Sequence, residues 1–253
     1  MDQAIQPIQP KHFLTIGQLI KNTWQTYKVR FKTLIAINLV GTILVLAIIF
    51  GFIGGAVLST GNVKAQSNPF FWILIVIGFV GSVYVALWSE AAILKASLDF
   101  NETFGSAYKN SKNKVGAIFL TSFISGLIVM VGFILLIVPG LIFLTWYSLA
   151  VLIVMAEGQT SLDAIKRSKE YVKGYTGPVM IRYALIFVLL WLANLVVNII
   201  FGKQLGQVIN TVVNLIFSPF AILYTIEIYK NLKDIKNQPP LAEFDPFPKQ
   251  TLQ

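Results

Sequence analysis

Long apolar runs without a charged residue alternate with short clusters of lysine and arginine along this chain. No Asp, Glu, Lys or Arg occurs in five runs, at residues 33–63, 65–89, 115–156, 183–202 and 204–226. About 20 apolar residues in an α-helix cross the hydrocarbon core of a bilayer, which is roughly 30 Å thick. Four runs fit one crossing each, and the third is long enough for two. The pattern therefore predicts six membrane-crossing helices.

A Pro-Gly pair divides the longest of these runs. Pro139-Gly140 lies inside it, where a turn between two crossings is needed. The predicted crossings then lie at about residues 34–58, 70–94, 115–138, 141–157, 179–201 and 205–229. We expect them to form one all-α membrane domain at residues 13–236. Residues 1–12 and 237–253 contain proline without any periodicity, which predicts disordered tails.

The composition agrees with a polytopic membrane protein and contains no signature of a catalytic centre. Hydrophobic residues make up 56% of the chain and charged residues 12%, with a mean hydropathy of +0.72; about a quarter of a soluble domain is charged. There is no cysteine, and His12 is the single histidine. Disulfides and clusters of thiolate or imidazole ligands are therefore excluded. Without a phosphate loop, a nucleophile elbow or an HExxH pair, we expect a non-enzyme that uses neither a metal nor a cofactor.

The net charge of +9 is distributed unevenly between the two sides of the membrane that six crossings would create. Every lysine and arginine except Lys64 and Lys203 would lie on one side. The positive-inside rule makes that side the cytoplasm, with both termini there and the protein in the cell (inner) membrane. The basic excess is then a topology signal that also suits contact with anionic lipid. Nucleic acid is not an expected partner.

A nine-residue pattern recurs in the basic segments and indicates an internal repeat. Its copies are TIGQLIKNT at residues 15–23, TFGSAYKNS at 103–111 and TSLDAIKRS at 160–168. Each copy precedes a predicted pair of crossings, so we expect three hairpins, each preceded by an amphipathic cytoplasmic helix. The threonine that opens each copy is placed as an N-cap. The interfacial basic residues are Lys21, Lys109, Lys166 and Arg167.

These amphipathic helices have two interpretations. They are elbows that only orient the next crossing, or they form a surface that senses lipid or docks a partner.

Acidic residues within or beside the crossings are functional candidates, because a charge inside the bilayer is costly. Gly78, Ser82, Ala86 and Glu90 are four residues apart, which places Glu90 on a small-residue helix face that packs inside the bundle. The alternative is that Glu90 pairs with Lys95 or extends to the interface.

Two further acids have structural interpretations. Glu157 is predicted to end a helix, since Gly158 follows it. Glu227, one turn before Lys230, is expected to have a structural role near the cytoplasmic end.

Amides form a second polar set on the last two crossings. Asn194 and Asn198 are four apart, and Asn210, Asn214 and Ser218 form a column on the next helix. Amides facing lipid are unfavourable, so these side chains are expected to bond to one another or to line a pocket for a substrate or headgroup. With Glu90 they make the candidate polar intramembrane site.

A small-residue stripe on the first crossing has a plain interpretation. Ala47, Gly51 and Gly55 are predicted to mediate close helix packing only.

The segment LIVPGLIFLTWYSLAVLIVMAEGQTSLDAIKRSKEYVKG, at residues 136–174, resembles the membrane-domain family of glycerophosphoryl diester phosphodiesterases and its polytopic bacterial relatives. The opening IGQLIKNTWQTYKVRFKTLI and the closing SPFAILYTIEIYKNL also resemble the ends of that family. In longer relatives a separate soluble barrel domain hydrolyses glycerophosphodiesters, and the resemblance here implies the membrane part alone. The residues that carry it are Val138, Pro139, Gly140, Glu157, Gly158, Ala164, Ser168 and Gly174.

Two functions remain open at the level of sequence. The first is a non-enzymatic inner-membrane protein whose partners are membrane lipids or another membrane protein, in keeping with the basic amphipathic segments. The second is a transporter of a small solute or lipid, in keeping with the threefold repetition, Glu90 and the asparagines.

Overall fold

The computed structural model describes residues 13–60 and 69–237, which are all-α without a strand, as the sequence predicts. In this part of the chain α3 passes into α4 through one 3-10 turn, Lys112–Lys114. The helices are α1 (Ile16–Thr60), α2 (Pro69–Leu98), α3 (Phe104–Ser111), α4 (Val115–Leu135), α5 (Ile137–Tyr147), α6 (Ala150–Glu157), α7 (Ser161–Val172) and α8 (Thr176–Lys236).

Several of these helices are long and apolar enough to cross a membrane, which confirms the class predicted from the charge-free runs. The five candidate spans in the described residues are Ile16–Gly55, Pro69–Leu98, Phe104–Leu135, Ile137–Glu157 and Thr176–Lys236. The predicted tail at residues 1–12 lies outside the described residues, as does that at 237–253 apart from Asn237.

The first amphipathic segment is not a helix of its own. α1 runs unbroken from the basic segment into the apolar run, so the expected elbow before the first crossing is absent. In the second and third copies of the repeat the corresponding segments are the separate helices α3 and α7.

The last helix, α8, is interrupted at Gly202. The backbone there has φ 71° and ψ 173°, values outside the helical region that glycine adopts without steric cost. Beyond this point the chain folds back, because Asn210 Nδ2 donates to Asn198 Oδ1 at 3.1 Å. Ile186 and Phe217, from opposite sides of the break, also line one apolar cavity. The two segments, residues 176–201 and 203–236, therefore lie side by side.

The chain turns between α4 and α5 at Leu136, three residues before the predicted Pro139-Gly140 turn. Leu136 is extended, with φ −166° and ψ 156°. Pro139 instead lies in the first turn of α5, where its missing N–H needs no helical partner. A Cβ on Gly132 would lie 3.0 Å from Gly140 Cα, so this pair lets the two helices approach closely at the turn. Val138 is exposed beside it.

The buried core lies at one end of the helices, where the basic clusters are. Buried apolar residues in α1 stop at Ile37, those in α2 begin at Ala91, and those in the second segment of α8 begin at Leu223. Toward the other end, large apolar side chains are not covered by the rest of the protein: Phe50 is 71% exposed and Ile134 is 74% exposed. Exposed apolar surface on this scale is compatible with hydrocarbon and not with water.

Candidate functional site

The three copies of the repeat lie at the packed end and present their lysines outward. Lys21, Lys109 and Lys166 are exposed, as is Arg167 beside the last of them. Two positions of each copy, four and eight residues after the opening threonine, are buried against the core. They are occupied by Leu19 and Thr23, by Ala107 and Ser111, and by Ala164 and Ser168. We call this basic surface, defined by Lys21, Lys109, Lys166 and Arg167, the basic end.

The threonines that open the copies stabilise the helix starts. Thr103 and Thr160 are the N-caps of α3 and α7, as predicted, and their hydroxyls accept from the third backbone N–H beyond. Thr15 precedes α1 and exchanges reciprocal bonds with Gln18, at 3.0 and 3.3 Å. Such paired bonds satisfy N–H groups that a helix start would otherwise leave free.

Arg30 joins α1 to the end of α2. Its guanidinium donates to the carbonyls of Ala96 and Phe100, at 2.8 and 2.7 Å, and to that of Glu102 at 2.7 Å. The Ala96 carbonyl is in the last turn of α2, where carbonyls lack a helical partner and a cation is favourable. The Phe100 and Glu102 carbonyls belong to the link between α2 and α3, so Arg30 joins α1 to that link.

Glu102 is the buried acid of this corner. It accepts from Ser106 and from Asn110 Nδ2 (2.9 Å), and Lys95 Nζ lies 3.5 Å from it. The hydrogen bonds from Ser106 and Asn110 lower the pKa of Glu102, because they stabilise its charged form more than burial opposes it. Lys95 is thus engaged with Glu102, and the alternative pairing of Lys95 with Glu90 is wrong.

Glu157 ends α6 and is followed by Gly158 at φ 69°, which confirms the predicted helix end. It is also the centre of a network that the sequence did not reveal. Its Oε1 accepts from the hydroxyls of Tyr171 and Tyr229, each at 2.8 Å, and lies 3.2 Å from Lys233 Nζ. Burial and the bond to Glu157 raise the pKa of Tyr171 and keep its hydroxyl protonated as a donor. The network fastens α6, α7 and α8 together.

Ser168, one of the residues that carry the family resemblance, closes the gap between α5 and α6. Its hydroxyl donates to the Trp146 carbonyl at 2.6 Å and accepts from Leu149 N–H at 3.2 Å. Those backbone groups lie at the junction where the helical hydrogen bonds of α5 end and those of α6 have not yet begun. Gly174, with φ 93°, lies between α7 and α8.

Glu90 lines a cleft of about 350 Å³ between α1, α2 and the second segment of α8. The small-residue face of α2 that carries it does pack on α1 in part: a Cβ on Gly78 would lie 2.6 Å from Phe52 Cβ. Glu90 itself is half-buried and lies about three turns farther along α2 than Gly78. The polar residues lining the cleft are Asn38, Thr42, Ser89, Glu90 and Ser218.

The structure does not bring the predicted polar site together: it forms two separate pairs, and Asn194 and Asn214 belong to neither. Ser218 joins Glu90 in the cleft, whereas Asn198 and Asn210 bond to each other beside the Gly202 break. Asn194 donates to the Leu190 carbonyl of its own helix at 2.7 Å, and Asn214 is exposed on the second segment of α8.

Asn38 also lines the cleft, although it is not among the residues of the site predicted from the sequence. Its amide donates to Ser218 Oγ and to the Leu215 carbonyl, each at 2.7 Å. Asn38 is the one amide within the first predicted crossing, residues 34–58, and this was the available signal.

The Ala47, Gly51 and Gly55 stripe does not mediate close packing. A Cβ on Gly51 or Gly55 would meet nothing within 4 Å in the described residues. With Ala47 and neighbouring apolar residues they line an open groove of about 460 Å³. The prediction of close helix contact at this stripe is therefore wrong.

Comparisons of the chain with protein-family models, with curated proteins and with solved structures find no match.

Proposed function

We propose that this chain is a non-enzymatic, multi-span inner-membrane protein. Its basic end binds anionic lipid or a negatively charged membrane partner. The observation that carries the proposal is the arrangement of the repeat. Lys21, Lys109 and Lys166 come from three separate segments, yet all are exposed at the packed end of helices whose other surfaces are apolar. A basic surface beside apolar spans suits the negative potential of the cytoplasmic leaflet.

The proposed topology has six crossings in three hairpins, with both termini in the cytoplasm. It treats the two segments of α8 on either side of Gly202 as separate crossings, supported by the bond between Asn198 and Asn210 across the break. It also joins α5 and α6 into one crossing. Each of these segments is long enough for a bilayer.

The topology is testable without background labelling, because the chain has no cysteine. We expect Lys21→Cys and Lys203→Cys, placed singly, to react with a membrane-impermeant maleimide from opposite sides of the membrane. Reaction of both from the same side in intact cells would contradict the six-crossing topology. Lys109→Cys is the matched control and should behave as Lys21→Cys does.

The lipid preference is testable by tryptophan quenching, since Trp24 is exposed near the basic end. In reconstituted vesicles, brominated phosphatidylglycerol should quench the protein more than brominated phosphatidylcholine at equal mole fraction. Changing Lys21, Lys109 and Lys166 together to Gln should remove most of that preference, since each basic residue near an anionic surface contributes about 1 kcal/mol, or roughly fivefold in binding.

The matched control is Lys203→Gln, an exposed lysine beside the Gly202 break. It should leave the preference unchanged. Equal quenching by the two lipids in the unmodified protein would overturn the proposal.

A transporter of a small solute or lipid is the second candidate, and the cleft containing Glu90 and Ser218 is the observation that favours it. It ranks second because Asn194, Asn198 and Asn214 do not line that cleft. Glu90-dependent uptake into proteoliposomes would distinguish transport from binding alone.

A further inference from the structure

The cleft that holds Glu90 is shaped and charged for a ligand. It is bounded by α1, α2 and the second segment of α8, and its volume of about 350 Å³ is within the usual range of small-molecule sites. Its apolar walls include Val45, Leu46, Ile93 and Ile222. Leu46 is 44% exposed, so the cleft opens toward the lipid-facing surface of the helices.

The polar groups of the cleft offer acceptors, because most of their donors are already used. Asn38 spends both amide protons on Leu215 and Ser218, and Thr42 donates to the Asn38 carbonyl at 2.8 Å. Ser89 donates to the Val85 carbonyl at 2.9 Å. What remains for a ligand is the Glu90 carboxylate, Asn38 Oδ1 and hydroxyl oxygens, with the Ser218 proton as the one donor left among these side chains.

Glu90 has no compensating partner among the described residues: they supply it with neither an ion pair nor a hydrogen bond. Lys95, the nearest basic residue in sequence, is bonded to Glu102 and Asp99, at 3.5 and 4.0 Å. No Lys, Arg or His lines the cleft. An unpaired carboxylate beside apolar walls is unfavourable, so the complementary ligand is a positively charged donor.

The number and kind of oxygen atoms in the cleft distinguish between the possible cations. Calcium and magnesium need six or more oxygen ligands, commonly with several carboxylates, and the described residues contain no cluster of three or more metal-ligating side chains. A primary ammonium group has three donors, which match a carboxylate, an amide oxygen and a hydroxyl oxygen. The apolar walls would bury the hydrocarbon that such an amine carries.

We propose that the Glu90 cleft binds a protonated primary amine attached to an apolar body. The group is the headgroup of an aminophospholipid or a free lipophilic amine, and both share this chemistry. The inference rests on the proposed membrane location, but not on the lipid preference of the basic end. Glu90 binds the ammonium, Asn38 orients it, and the walls contributed by α1 and α8 contact the chain.

The test uses the full-length protein in detergent and native mass spectrometry. Phosphatidylethanolamine and phosphatidylcholine are offered at equal concentration, since they differ in whether the headgroup nitrogen can donate hydrogen bonds. Decylamine and decanol form the second pair, which distinguishes a free amine from a lipid. We expect the amine member of at least one pair to be retained about tenfold over its partner, as charge-assisted hydrogen bonds imply. Glu90→Gln should abolish that difference.

The matched control is Glu227→Gln, which removes a carboxylate bonded to Lys230 at 3.0 Å and outside the cleft. It should keep the amine preference. Because Glu90→Gln removes an unpaired charge, thermal unfolding should show it to be at least as stable as the unmodified protein without added amine. Equal retention within both pairs, or a preference that survives in Glu90→Gln, would overturn the proposal.

Retention of phosphatidylglycerol over phosphatidylcholine, measured in the same samples, separates this inference from the proposed function. Loss of that preference with the amine preference intact contradicts the basic-end proposal alone. The reverse result contradicts only the amine site.

Discussion

Glu157→Ala should lower the free energy of unfolding by about 2–3 kcal/mol, the largest effect that we expect from removing one side chain. The buried hydroxyls of Tyr171 and Tyr229 would lose their common acceptor, and Lys233 would lose its counter-charge. Glu157 is only 11% exposed, so water cannot replace it fully. The expected loss of free energy is smaller than for a fully buried ion pair, because Lys233 and Arg167 are partly solvated. Reversible unfolding in mixed micelles measures it.

Glu170→Ala is the matched control for this experiment. Glu170 is 65% exposed and lies 3.5 Å from Arg167, the same arginine that pairs with Glu157. An exposed pair of this kind contributes less than about 1 kcal/mol. If the two variants were equally stable, the network around Glu157 would not hold α6, α7 and α8 together.

Gly41→Ala should destabilise the protein by about 1–3 kcal/mol, in the range of overpacked sites. A Cβ at this position would overlap Ser89 Oγ and lie 2.6 Å from Ser89 Cβ. Ser89 cannot move freely, because it bonds to the Val85 carbonyl and to the Tyr108 hydroxyl. α1 and α2 would have to separate at this crossing. Thermal unfolding of the purified protein should report the loss.

Gly51→Ala in the same helix is the control for Gly41→Ala. A Cβ on Gly51 meets nothing within 4 Å, and alanine favours a helix over glycine by about 0.5–1 kcal/mol. This variant should therefore be as stable as the unmodified protein or slightly more so. A comparable loss of stability in both variants would show that the contact with Ser89 does not decide the result for Gly41→Ala.

Most of the helices could be predicted from charge-free runs because a bilayer demands apolar length. The joints between helices depend on local geometry and were harder to predict. α1 continues through its basic segment because no glycine or proline interrupts it between Gly17 and Gly41. The turn at Leu136 is possible because Gly132 and Gly140 let the backbones approach, and periodicity does not contain that information.

The candidate site could be predicted only where its residues share one helix. The four-residue spacing of Gly78, Ser82, Ala86 and Glu90 predicts that they share one helix face. That face contacts α1 at Gly78, whereas Glu90 lines the cleft between α1, α2 and α8. Asn38 and Ser218 meet Glu90 across three elements, so no spacing rule connects them. The network of Glu157 is of the same kind, since Tyr229 is 72 residues away in sequence.

The confinement of the core to one end determines how the protein can respond to bilayer thickness. Toward the other end, α1 and the two segments of α8 expose large apolar side chains. A mismatch with a thinner or thicker membrane costs only fractions of a kcal/mol per ångström and is relieved by helix tilt. Tilting there disturbs few contacts, whereas tilting at the packed end would disrupt the bonds of Arg30 and Glu157. Changes in lipid chain length should therefore alter the distances between the helix ends opposite the packed end and leave the geometry around Glu90 intact.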